Sequence, residues 1–185
     1  MKRNVCVTGL VMMVLGAGCV MSDFSVLNGG QKRELLRVGV YDSRCICIAY
    51  ANSHFGDERY KKMKAEHDTA QAAGDEQKMA EIKEAANEQQ AKQHLQDFGT
   101  APVHEYLDLV KGKLPQVAQA AGVDVIVSKW EFDYLAKDAK TVDVTMELAK
   151  LFEPQEKAYQ WIEQMKDKDP IPAEELKRLE NEHSY

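Results

Sequence analysis

The groups able to do chemistry in this 185-residue chain are few and widely spaced. Its histidines are His54, His67, His94, His104 and His183, and the sequence holds neither an H-E-x-x-H nor a C-x-x-C spacing. His67 and His94 could face one another across a helical hairpin, although a surface pair on polar helices is normally solvated rather than metal-bound. Cys45 and Cys47 alternate with isoleucines in Arg44-Cys45-Ile46-Cys47-Ile48, which on a strand puts both thiols on one face. Bridging so close a pair strains a disulfide, so they read as small apolar core residues. There is no G-x-S-x-G turn and no phosphate-cradling glycine loop. The expectation is therefore a protein that is not an enzyme, with no catalytic set, cofactor or metal. Two polar clusters remain. Asp42-Ser43-Arg44 occupies the connection between two expected strands, and Lys129-Trp130-Glu131 follows an apolar strand. Asp42, Arg44, Lys129 and Trp130 could mark the rim of a binding site. The simpler alternative is a pair of turns enclosing a buried tryptophan and an ordinary ion pair.

One further cysteine carries chemistry of another kind. Lys2 and Arg3 precede the apolar run Val5 to Leu15, and the small residues Gly16, Ala17 and Gly18 lead to Cys19. That order of cations, apolar core and small residues predicts a secretion signal over residues 1–19. The run is shorter than the roughly 18 residues needed to span a bilayer, and Asp23 follows closely. Leu15-Gly16-Ala17-Gly18-Cys19 resembles a lipobox, with the leucine one place further from the cysteine than usual. Cys19 is thus a candidate lipidation site, and the protein is expected in the periplasm or cell envelope with a lipid anchor on its membrane side. Losing residues 1–19 removes two cations and no acid, taking the formal net charge from −6 to −8. Such an excess of acid excludes nucleic acid as a partner.

The elements that must position these residues follow from patterning. Residues 20–33 are polar and glycine-containing, as in a tether. Arg37 to Tyr41 and Cys45 to Ala51 read as adjacent strands around the turn-forming Asp42-Ser43-Arg44. From Asp57 the composition shifts to Lys, Glu, Gln, Ala and Met without proline, predicting helices over about 57–73 and 75–98 that fold back as a hairpin, with Gly74 as the left-handed stop and Asp75 as the next cap. The apolar stripe is thin: Tyr60, Met63 and Ala70 on one helix, Met79, Ile82, Ala86 and Phe98 on the other, with Gln89 and Gln93 in line with it. Such a hairpin projects from a body rather than forming a core.

Thr100 is expected to cap the next helix, with Pro102 in its first turn. Val103, Tyr106, Leu107, Val110, Leu114 and Val117 recur at helical spacing, Pro115 should divide the helix, and Gly122 should end it. Val123 to Ser128 reads as a buried strand, Trp130 to Tyr134 as another, and Val142 to Val144 as a short edge strand. Thr145 would then cap a helix through Phe152, and helices over about 155–167 and 172–183 follow. The fold class is α+β, a small β-sheet body with a projecting helical hairpin and C-terminal helices. Its expected parts are the signal (1–19), the tether (20–33), the body with its hairpin (34–153) and an acidic helical extension (154–185).

This order, and in particular Gln116-Val-Ala-Gln-Ala-Ala-Gly-Val-Asp-Val-Ile-Val-Ser-Lys129, then Phe132-Asp133-Tyr134 and Thr141-Val-Asp-Val-Thr145, resembles the Skp/OmpH family of periplasmic chaperones over about residues 36–152. The resemblance implies a sheet body that assembles as a trimer and helical arms that hold unfolded envelope proteins. Against the family pattern, the hairpin is shorter, the chain is acidic rather than basic, residues 154–185 are additional, and a lipid anchor would be new. The alternative is a structural or scaffold envelope lipoprotein whose hairpin serves oligomerisation or partner binding.

Overall fold

The computed structural model describes residues 36–183, so the signal, Cys19 and the tether lie outside the described residues. Strand β1 (Arg37–Tyr41) is the middle strand of a three-stranded sheet, flanked by β2 (Val125–Ser128) and β3 (Lys140–Asp143), in the order β2-β1-β3. Both pairings are parallel: Val38 lies opposite Val125 and Thr141, and Val40 opposite Val127 and Asp143. Gly39 is the close point between strands. A Cβ there would lie 3.0 Å from Val123 Cγ2 and 3.2 Å from the Val125 carbonyl, so a larger side chain would press β1 away from β2.

The segment Cys45–Ala51, expected as a strand, is instead most of helix α1 (Ser43–Ala51). Asp42 sits in extended conformation at its N-cap and accepts from the Arg44 N–H at 3.0 Å. Cys45, Ile46, Cys47 and Ala49 are all buried, so the helix has core on nearly every side and shows no single apolar stripe. A short, uniformly apolar run of this kind carries no period that distinguishes helix from strand. Around α1 pack α2 (His54–Ala73), α3 (Glu76–Asp97), α4 (His104–Val110), α6 (Thr145–Lys150) and α7 (Glu156–Lys166). Phe152, Ile46, Leu148 and Ile162 are fully buried, and Tyr50 stacks on Tyr106 with ring centroids 4.1 Å apart. Residues beyond 154 thus supply core: Ala158 and Ile162 of α7 are fully buried, and Leu176 of α8 (Ala173–His183) is 5% exposed where α8 meets α3.

The hairpin forms where the pattern places it. Gly74 closes α2 in left-handed conformation (φ 65°), and the Asp75 carboxylate accepts from the Lys78 N–H at 2.9 Å. Pro115 stands in the first turn of α5 (Leu114–Ala121), set off from α4 by the 3-10 turn Lys111–Lys113, and Gly122 ends α5 at φ 62°. The start of α4 differs from expectation: Val103 is its N-cap, with Thr100 and Pro102 ahead of the helix. The Pro102 carbonyl is engaged by the Gln96 amide at 2.7 Å, which holds this stretch out of the helix.

Trp130 to Tyr134 is not a strand but a series of turns within the connection from β2 to β3. The Lys129 N–H still donates to the Tyr41 carbonyl at 2.9 Å, then Glu131 N–H turns back to the Ser128 carbonyl at 3.1 Å, which ends the ladder. The edge strand begins earlier than expected, at Lys140, and ends at Asp143 because Val144 is buried as the N-cap of α6. Thr145 does not cap that helix. Its N–H is held by the Asp143 carboxylate at 2.9 Å, and its hydroxyl accepts from the Asp42 N–H at 3.0 Å.

Candidate functional site

The four residues singled out in sequence meet at the carboxyl ends of the parallel strands, the place where open α/β sheets commonly hold ligands. Asp42 follows β1, Lys129 and Trp130 follow β2, and Arg44 lies in the first turn of α1. The Asp42 carboxylate takes a bidentate fork from Arg44, Nε to Oδ1 at 3.0 Å and Nη2 to Oδ2 at 2.7 Å, and its Oδ2 also receives Lys129 Nζ at 2.8 Å. Arg44 Nη2 reaches on to the carbonyls of Lys168 (2.8 Å) and Met165 (3.3 Å), fastening the end of α7 to the start of α1. The Trp130 ring lies beneath both cations, with centroid distances of 4.5 Å to Lys129 Nζ and 5.4 Å to Arg44 Cζ.

Asp42 and Arg44 are each 1% exposed, and the Lys129 side chain is about one-third exposed at 32%. Burial pushes the Asp42 carboxyl up, but hydrogen bonds from Arg44 and Lys129 outweigh it and hold the group below the usual carboxylate range. A carboxylate so fully engaged is a poor proton acceptor, and the arrangement works as a structural tie. Ser43 Oγ and Trp130 Nε1 are buried beside it without a protein partner.

The cysteines are buried and free in α1 rather than on a strand face. Burial pushes the Cys45 thiol up to about 12 and lifts Cys47 well above its ordinary value, which removes the thiolate needed for redox or ligand chemistry. His67 and His94 do not face one another. The tight turn at Gly74-Asp75 sets His67 near Met79 and Ile82, whereas His94 lies at the hairpin base with its ring 6.1 Å from Phe98. Among the described residues, no three His, Cys, Asp or Glu side chains are grouped to hold a metal, and no helix is long and apolar enough to cross a membrane.

A second candidate surface lies on the hairpin. Tyr60 and Met63 of α2 and Met79, Ile82 and Ala86 of α3 line an open groove of about 700 Å³, edged by Lys64, Asp68 and Lys83. Tyr60 is 64% exposed and Met63 38%. These residues were legible as the thin stripe, and the groove is the space that stripe fails to fill.

Sequence reasoning missed two polar groups at the hairpin base. Gln96 is fully buried, donating to Glu105 Oε1 at 2.7 Å and accepting from the Tyr106 hydroxyl at 2.9 Å. Asp97 sits against Cys47, and burial pushes its carboxyl up despite hydrogen bonds from Gln93 and Cys47. The only sequence signal was a polar pair interrupting the stripe just ahead of Phe98. Comparison with protein-family models, curated proteins and solved structures finds no match to this chain.

Proposed function

We propose that this chain is an exported envelope protein that acts without catalysis, as a holdase whose helical hairpin engages unfolded envelope proteins. The observation that carries this reading is the hairpin groove, where Tyr60 and Met63 stand exposed beside half-buried Met79 and Ile82 between two polar helices. Exposed apolar area of this kind marks an interaction surface. Methionine adapts to many shapes, which suits clients of varied sequence, and the charged edges keep the free surface soluble. The reading is also supported by the succession of strand, charged hairpin, amphipathic helix and strand on which the Skp/OmpH resemblance rests, although α1 stands where that resemblance has a second strand and a single strand, β3, follows β2. The test is aggregation of a denatured outer-membrane protein diluted with and without this protein. Undiminished light scattering at a several-fold excess of this protein would refute the proposal.

A scaffold reading is favoured by a different observation. Val38 and Val125 share one face of the sheet with Val40 and Val127, and Val125 is 43% exposed at an edge strand while Thr141 and Asp143 continue that face in solvent. Parallel sheets are ordinarily covered on both faces. In this reading the valine face joins copies of the chain, a trimer in keeping with the resemblance, and the lipid on Cys19 holds the assembly at a membrane. Multi-angle light scattering gives the copy number, and mass spectrometry of the mature N-terminus tests Cys19: an unmodified cysteine, or a start elsewhere, removes the anchor.

A further inference from the structure

The base of the hairpin meets the body at a groove of about 300 Å³ between α1, α3 and α7. Its walls are Ile48, Phe98, Trp161 and Met165, and the two charged groups lining it are Asp97 and Lys168. Phe98 is 44% exposed and Trp161 39%, unusual for large aromatics beside a fully packed core. Asp97 is the opposite anomaly, a carboxyl drawn into apolar surroundings with only the Gln93 amide, the Cys47 thiol and the field of His94 to offset its burial. None of the salt bridges seen among the described residues involves Asp97, and Lys168, itself exposed, lines the same groove.

We infer that this groove is a binding site for a hydrophobic organic ammonium ion, held by Asp97 and by the faces of Trp161 and Phe98. Asp97 complements the ammonium and the aromatic faces its organic part, while Lys168 is the opposing charge in the lining. An ammonium group would add an ion pair to the hydrogen bonds that Asp97 takes from Gln93 and Cys47, in surroundings where such a pair is weakly screened. The attached aryl or alkyl group would cover the exposed aromatic and methionine surface. Trp161 already accepts one cation in this fold, since Lys157 Nζ lies 5.0 Å from its ring centroid. A neutral ligand of the same shape gains only the apolar part, and an organic anion meets Asp97 with like charge. The site is separate from the hairpin groove, so it stands whether or not the holdase reading does.

The two tryptophans supply the probe and its control. The full-length protein, labelled with nitrogen-15, is titrated with benzylamine while both indole N–H resonances are followed, a Trp161→Phe variant identifying which is which. The expected result is a saturable shift of the Trp161 resonance with Trp130 unmoved. Binding should weaken at least about tenfold for benzyl alcohol and by a similar factor in Asp97→Asn. Equal binding of amine and alcohol, a response in which Trp130 shifts as much as Trp161, or no saturable shift would overturn the inference. The alcohol comparison uses the unaltered chain, so the test stands even if Asp97→Asn folds poorly.

Discussion

Arg44 is the side chain on which most of the buried polar structure converges. It joins the β1–α1 corner to the end of α7 through one carboxylate and two carbonyls. Removing it leaves Asp42 buried with Lys129 as its remaining cation, so Arg44→Met should cost about 3–5 kcal/mol in chemical unfolding. A loss under about 1 kcal/mol would mean that water already satisfies Asp42.

The pH dependence has a defined sign. Asp42 titrates lower in the folded than in the unfolded chain, where its pKa is about 3.9. The stability it contributes is present above that value and is lost as pH falls through the lower folded one. The difference in unfolding free energy between the protein and Asp42→Asn should therefore hold steady from about pH 7 to 5 and shrink below about pH 4. A difference that grows on acidification would contradict this electrostatic account. At the same scale, Cys45 and Cys47 should resist a thiol reagent at pH 8 until the protein is denatured, since each is no more than 2% exposed.

At the scale of elements, what the sequence made legible was local chemistry. Gly74, Asp75, Pro115 and Gly122 each act on the backbone beside them, and each ends, caps or divides a helix at the expected place. What failed depended on tertiary surroundings. The residues of α1 look like a strand because the helix is packed among five others, leaving no polar face to reveal its period. Trp130 to Tyr134 alternates like a strand, but the Trp130 ring is engaged by Lys129 and Arg44, and Tyr134 ends up 83% exposed.

The site was legible in the same uneven way. Asp42, Arg44, Lys129 and Trp130 could be named from their types, whereas Thr145, which fixes the Asp42 backbone from 103 positions away, could not. Gly39 offers an element-scale test of the sheet. Gly39→Val must displace Val123 and the Val125 carbonyl, and should destabilise the fold by about 1–3 kcal/mol. A neutral effect would show that β2 can slide away without loss.

At the scale of the molecule, packing divides the chain into two regimes. The body closes around α1 with large apolar side chains fully buried, including Ile162 from the C-terminal segment, where truncation to alanine should cost about 2–5 kcal/mol. The outer hairpin, by contrast, has little apolar cover, with Ala70 its one buried residue between 54 and 95. Substituting Tyr60, Met63 and Ile82 together by serine should therefore leave the unfolding midpoint of the body nearly unchanged while erasing the apolar groove. That separation makes the central claim testable without confusing function with folding. The decisive measurement is the aggregation of a denatured outer-membrane protein, followed by light scattering in the presence of the unaltered protein or of the Tyr60, Met63 and Ile82 variant. The account predicts suppression by the first and little or none by the second, with both equally folded. Equal suppression by the two would contradict it, as would its absence from both.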